Sequence, residues 1–117
     1  MKINHTVTIG SKHYCVLTLW ALTKNLPTEM RDLYAFAEWE TWCWGDLDHF
    51  DMMQFADEVK RVMRADTYYP ILICAETGAV LDGLHRVCKL YLEGKQVVNC
   101  RIVTKEILEK AEINENN

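Results

Sequence analysis

No apolar run in the chain approaches the roughly 18 residues a membrane-spanning helix needs, and Met1-Lys2-Ile3-Asn4-His5-Thr6 lacks the apolar core of a secretory leader. The expected location is the cytoplasm, with no membrane partner. The five cysteines, Cys15, Cys43, Cys74, Cys88 and Cys100, are odd in number, scattered and set in apolar runs, and none forms a CxxC pair. That argues against a disulfide framework or a zinc knuckle and for buried, reduced thiols. His5, His13, His49 and His85 show neither an i, i+4 pair nor a His-x-His pattern, so no structural zinc is expected. Repeats, low-complexity runs and interdomain linkers are missing as well. So is an excess of positive charge: 13 Lys plus Arg stand against 17 Asp plus Glu, a net −4. Binding through counterion release needs many clustered cations, so DNA is not expected as a bulk-charge ligand.

What is present is a chain of 117 residues, 50% apolar and 26% charged. That is enough to bury most of one domain's apolar surface and too little for two cores, so residues 1–117 read as a single domain. Its charge is uneven. Residues 28–58 hold nine acids (Glu29, Asp32, Glu38, Glu40, Asp46, Asp48, Asp51, Asp57, Glu58) against Arg31 alone, which leaves the remainder positive.

Residues 3–9 alternate Ile3, His5, Val7 and Ile9 with Asn4, Thr6 and Thr8, the period of a half-buried strand. Gly10-Ser11-Lys12 reads as a turn, Tyr14-Cys15-Val16-Leu17 as the second strand of a hairpin, and Leu19, Leu22 and Leu26 as a short helix capped by Thr18 and stopped near Pro27. Thr28 to Gly45 is expected as helix and then loop, an acidic, Trp-rich insertion at about 28–45 in which Trp42-Cys43-Trp44 fits no amphipathic period. Met52, Phe55, Ala56, Val59, Val62 and Met63 recur as one helical face behind an Asp48 cap, with Lys60, Arg61 and Arg64 in the last turns. Pro70 to Ala75 and Ala79 to Leu81 read as short strands around a Glu76-Thr77-Gly78 turn. Leu84 to Leu92 reads as a helix closed by Gly94, Val97 to Val103 as a last strand, and Thr104 as the cap of a final short helix before a fraying tail at 114–117.

Chemistry is expected where the second of those strands meets its helix, at Asp82-Gly83-Leu84-His85-Arg86. A glycine allows close backbone approach, and the first amides of a helix are unpaired donors at the positive end of its dipole, a ready phosphate site. Gly83, Leu84, His85, Arg86 and Lys89 are therefore the candidate phosphate contacts, since residues three and four apart share a helix rim, while Asp82 and His85 are the catalytic candidates. A purely structural reading stands beside this one, with Asp82 capping the helix, Gly83 serving the turn and Arg86 pairing with an acid. Trp39, Trp42 and Trp44 are candidate anchors for a protein partner, because tryptophan favours interface hot spots. Tyr68-Tyr69 reads either as a stacking surface for a base or as a packed turn.

Tyr69 to Val103, about a third of the chain, resembles the core of the ParB/sulfiredoxin superfamily: Pro-Ile-Leu-Ile, a turn, Val-Leu-Asp-Gly-Leu-His-Arg, an aliphatic helix, and a closing Val-Val-Asn-Cys-Arg-Ile-Val strand. The resemblance implies an α/β (α+β) domain with a mixed sheet and packed helices, holding a nucleotide's phosphates at Gly83, His85 and Arg86. That ligand is CTP in ParB partition proteins, ATP in sulfiredoxin, and ADP or ATP in the related free serine kinase, whose Asp-Gly-His-His-Arg motif stands here with Leu84 in place of the first histidine. Sulfiredoxin's catalytic cysteine is also replaced by Leu84, so reduction of a sulfinylated cysteine is not expected. Chromosome partition is not expected either, because the ParB arginine motif is not matched and the chain stops where a helix-turn-helix domain would begin. The expected function is nucleotide binding, with Mg²⁺-dependent hydrolysis or phosphotransfer left open. The alternative is a non-catalytic regulator or inhibitor that presents its acidic, Trp-rich region to a protein. A weaker alternative is a ParB-like nuclease or DNA-associated factor, against which the net charge counts.

Overall fold

Gly10, at φ 62°, turns the chain between β1 (Thr6–Ile9) and β2 (Lys12–Cys15), which pair antiparallel with Thr6 opposite Cys15. The computed structural model describes residues 5–114. The strand start expected at Ile3 and the tail at 115–117 lie outside the described residues. The second strand does not run to Leu17, and Thr18 is not a cap: helix α1 (Val16–Thr23) begins directly after Cys15 and has no side-chain cap. Burial decides this boundary. Val16, Leu19 and Thr23 share one helical face and are 1%, 0% and 0% exposed.

The segment after Pro27 is not a helix. It forms an exposed edge strand, β3 (Glu29–Asp32), followed by single 3₁₀ turns at Leu33–Ala35, Ala37–Glu40 and Leu47–His49. Only Leu33 and Phe36 are buried there, and two anchors three residues apart suit a 3₁₀ turn better than an α-helix. The region is thus tied into the fold through a strand and two core side chains. Helix α2 (Met52–Arg64) is capped by Asp51, not by Asp48: the Asp51 side chain accepts from the Gln54 amide while the Gln54 side chain accepts from the Asp51 amide. The Asp-x-x-Gln spacing allows that reciprocal box, and Asp48 sits in a separate turn capped by Asp46.

The main sheet also contains β4 (Ile71–Cys74), β5 (Val80–Asp82) and β6 (Val97–Val103), in the order β3-β6-β4-β5. β6 runs antiparallel to β3 and parallel to β4, and β4 runs antiparallel to β5. All four β4 residues are buried because both faces of the sheet are covered, which is why this strand reads as a continuous apolar run. Leu72 and Cys74 join Leu19, Leu81, Val103 and Leu108 on one side; Ile71 and Ile73 join Leu33, Val87, Val98 and Cys100 on the other. The first layer is closed by α1 and α4 (Lys105–Lys110), which Thr104 caps as expected. The second is closed by α3 (Leu84–Leu92), with α2 lying against it. With four helices and mixed strand pairing among its described residues, the chain is an α+β domain. No helix among the described residues is long and apolar enough to cross a membrane.

Candidate functional site

Gly83 follows β5 and precedes α3 at φ 114°, and a Cβ built on it would stand 2.5 Å from Ile71 Cγ2. The close approach that the sequence suggested is therefore first of all an approach to the neighbouring strand. Gly83 has no side chain to cap α3, so the first-turn amides of that nine-residue helix lack both an intrahelical acceptor and a side-chain cap. Leu84 packs its side chain against the cluster of Ile71, Ile73 and Val87, leaving its amide at the junction.

Asp82 and Arg86 face each other across the junction. Arg86 Nη2 donates to Asp82 Oδ2 at 2.8 Å, and Nη1 donates to the carbonyls of Pro70 at 2.7 Å and Tyr69 at 3.3 Å. The Trp20 indole N–H donates to the same Asp82 oxygen at 2.7 Å, and His5 Nε2 lies 3.4 Å from the other. With its side chain 15% exposed and three acceptors engaged, Arg86 ties β5, α3 and the Tyr69-Pro70 turn together. The Asp82 carboxylate does not cap the helix; it holds this arginine and the indole.

Trp20 also organises a second arginine. The guanidinium of Arg86 lies 5.4 Å and that of Arg101 5.7 Å from the indole centroid, within cation–π range. Arg101 Nε is buried with no hydrogen-bond partner among the described residues. Two open clefts meet at Trp20 and Tyr69. One, of about 440 Å³, is lined by His5, Leu17, Asp66, Asp82 and Arg86; the other, of about 650 Å³, by Lys24, Thr28, Tyr68, Asn99 and Arg101. Together they bring three permanent cations against two carboxylates in a chain whose net charge is −4.

The structure does not bring His85 or Lys89 to these clefts. His85 Nε2 is 2.6 Å from Glu58 Oε2, Arg61 pairs with the other Glu58 oxygen, and the imidazole stacks on Trp44 at 5.5 Å and 14°. These residues line a separate cleft, and no residue lines both it and the Asp82 cleft. A carboxylate on Nε2 fixes the imidazole's orientation, a pattern used by catalytic bases, but Asp82, the other catalytic candidate, stands elsewhere. Lys89 Nζ donates to the carbonyls of Met63 at 2.9 Å and Ala65 at 2.8 Å, so its ammonium closes the carboxyl end of α2.

The tryptophans divide. Trp39 donates its N–H to the Leu33 carbonyl at 2.7 Å and packs on Tyr91, and Trp44 packs on His85 with its own N–H buried and without a partner among the described residues. Trp42, 42% exposed, packs edge-on against Phe50 and faces an apolar groove between α2 and α3. Most of the nearby acids have local duties: Glu38 accepts from the Val80 amide at 2.6 Å, Asp46 from the Asp48 amide, and Asp51 from the Gln54 amide. Among the described residues, no group of three or more His, Cys, Asp or Glu is placed to hold a metal ion.

The motif alone does not point to Trp20, Arg101 or Glu58, which the structure places around its side chains. The Trp20–Asp82 bond spans 62 residues and left no local signal, whereas an arginine amid the apolar residues of β6 was a visible anomaly. Burial lifts the thiol of Cys100 to a pKa of about 11 and also raises that of Cys88, while hydrogen bonds from Thr18 lower that of Cys15. Comparison with protein-family models, with curated proteins and with solved structures gives no match.

Proposed function

We propose that the chain binds a nucleotide in the double cleft around Trp20, its phosphates facing Arg101 and the amino end of α3 and its base against Tyr68 and Tyr69. The observation that carries this reading is the convergence of two guanidiniums, Arg86 and Arg101, on one indole, with Arg101 Nε buried and without a partner among the described residues. A buried donor without an acceptor is costly, and a phosphate oxygen satisfies it with a charge-assisted bond. Tyr68 and Tyr69, 84% and 54% exposed, offer flat faces for stacking beside it. The resemblance of Asp82 to Arg86 to the ParB/sulfiredoxin motif points to the same junction. In this reading Arg86 is a wall of the site that is already engaged, and His85 and Lys89 stand outside it. The reading concerns binding. Asp82 Oδ2 already accepts from two donors, and no acceptor base is assigned.

The test is a thermal-shift panel of ATP, ADP, CTP and GTP, each with and without Mg²⁺, because Asp66 and Asp82 are the carboxylates that a phosphate-borne ion would meet. A ligand at 100 times its Kd adds about 2.7 kcal/mol, or roughly 10 °C in a domain of this size. The shift is expected for one nucleotide, lost in Arg101→Met and Tyr69→Ala and kept in Trp44→Ala. No shift with any of the four at millimolar concentration overturns the reading.

A second reading, a protein-binding surface, has its own support in the apolar residues that α2 leaves exposed. That surface centres on Trp42 and α2, because the indoles of Trp39 and Trp44 are held by the Leu33 carbonyl and by His85.

A further inference from the structure

An open cavity of about 200 Å³ lies among the turns around Ala37–Glu40, β5 and α3. It shares no lining residue with either cleft at Trp20. Four aromatic side chains line it, Phe36, Trp39, Trp42 and Trp44, and Leu84 and Val87 add aliphatic surface. Each indole is fixed by a neighbour. Trp39 donates its N–H to the Leu33 carbonyl, Trp42 packs edge-on against Phe50, and Trp44 stacks on His85. The planes of Trp42 and Trp44 stand 84° apart with their centroids 6.2 Å apart, so they form two walls at nearly a right angle. Walls set in advance lower the cost of ordering a site around its ligand.

Charge selects the ligand. Among the described residues that line the cavity, Glu38 is the one Asp, Glu, His, Lys or Arg. Its Oε2 accepts from the Val80 amide at 2.6 Å, and no ion pair among the described residues holds its carboxylate. A partly buried carboxylate without a cation is costly, and the faces of indole rings attract cations. An anion would be repelled here, and a neutral guest would strip water from Glu38 without answering its charge. A bare ammonium is strongly hydrated and asks for several acceptors. A quaternary ammonium carries its charge within a shell of methyl groups, which suits the carboxylate and the rings together. We propose that this cavity binds a trimethylammonium group, held by the indoles of Trp39, Trp42 and Trp44 and by the charge of Glu38.

The test is calorimetric titration of the full chain with three probes: choline, ethanolamine, and the neutral carbon isostere of choline in which a tert-butyl group replaces the trimethylammonium. Choline is expected to bind at millimolar concentration or below, about tenfold more tightly than either of the others. Two variants locate the effect. Glu38→Gln removes the charge and keeps an acceptor for the Val80 amide, and Trp42→Leu keeps apolar surface and removes the ring. Each is expected to weaken choline about tenfold and to leave the isostere unchanged. No heat from choline at millimolar concentration, an isostere that binds as tightly as choline, or unchanged choline affinity in either folded variant overturns the proposal. The probes compared on the unaltered chain refute it even where a variant fails to fold. A short peptide bearing trimethyllysine, titrated beside choline, distinguishes a group carried on a protein from a free one; binding of either supports the site, and the tighter names the source. The nucleotide reading stands or falls separately, because the two sites share no residue.

Discussion

Replacing Gly83 by alanine measures how tightly the β5–α3 junction is built. Two costs add. The backbone at φ 114° lies where L-residues are disfavoured, by about 1–2 kcal/mol. The new Cβ would also meet Ile71 Cγ2 at 2.5 Å and Ile71 Cβ at 2.9 Å, and Ile71 is fully buried in a central strand with no room to retreat. Overpacking of this kind costs about 1–3 kcal/mol. The sum, about 2–5 kcal/mol, is a large part of the 5–15 kcal/mol typical of a domain. Gly78 is the internal control: its φ of 75° carries the backbone cost, but nothing lies within 4 Å of its missing Cβ. Urea unfolding followed by circular dichroism should show Gly83→Ala less stable than Gly78→Ala by about 1–3 kcal/mol, with the m-value unchanged. Equal losses for the two variants would refute the close-approach account of Gly83.

Arg86→Met should destabilise by about 2–3 kcal/mol, because it leaves Asp82 short of a donor and two carbonyls unpaired in a site only about one-seventh exposed; a loss below about 0.5 kcal/mol in the same urea experiment, typical of a surface charge, would contradict the structural role. For Cys100, the folded pKa of about 11 lies above the ordinary value of 9.0, so the unfolded state gives up its proton first. Its contribution is fully present below pH 9 and is lost by pH 11, a fall of about 1.4 kcal/mol per pH unit. The stability gap between the unaltered protein and Cys100→Ala should therefore narrow across that window and stay constant between pH 6 and 8.

The carboxyl half of the chain was legible because local signals and tertiary packing agree there. Thr104 caps its helix, Gly94 ends α3 in a left-handed turn, and β4 reads as a strand buried on both faces. Between Pro27 and Met52 they do not agree. β3 is exposed along its whole length and is a strand only because β6 offers a ladder, which no period within Glu29–Asp32 announces. Asp46, Asp48 and Asp51 all lie within the six residues before α2, and the cap falls on Asp51 rather than Asp48 because Gln54, three residues after it, closes the reciprocal box. At the junction, helical spacing placed His85, Arg86 and Lys89 on one rim. The structure sends their charged ends to three destinations: Glu58, Asp82 and the carboxyl end of α2. Spacing sets where side chains start, and distant partners decide where long ones end.

The most direct test of the nucleotide reading is a ¹H–¹⁵N correlation spectrum of the labelled protein titrated with each nucleotide. The Trp20 indole signal and the amides of Tyr69, Gly83, Leu84 and Arg101 should move together and saturate, while the Trp42 and Trp44 indoles stay in place. An unchanged spectrum at millimolar nucleotide, or shifts centred on Trp44 and His85, would contradict it.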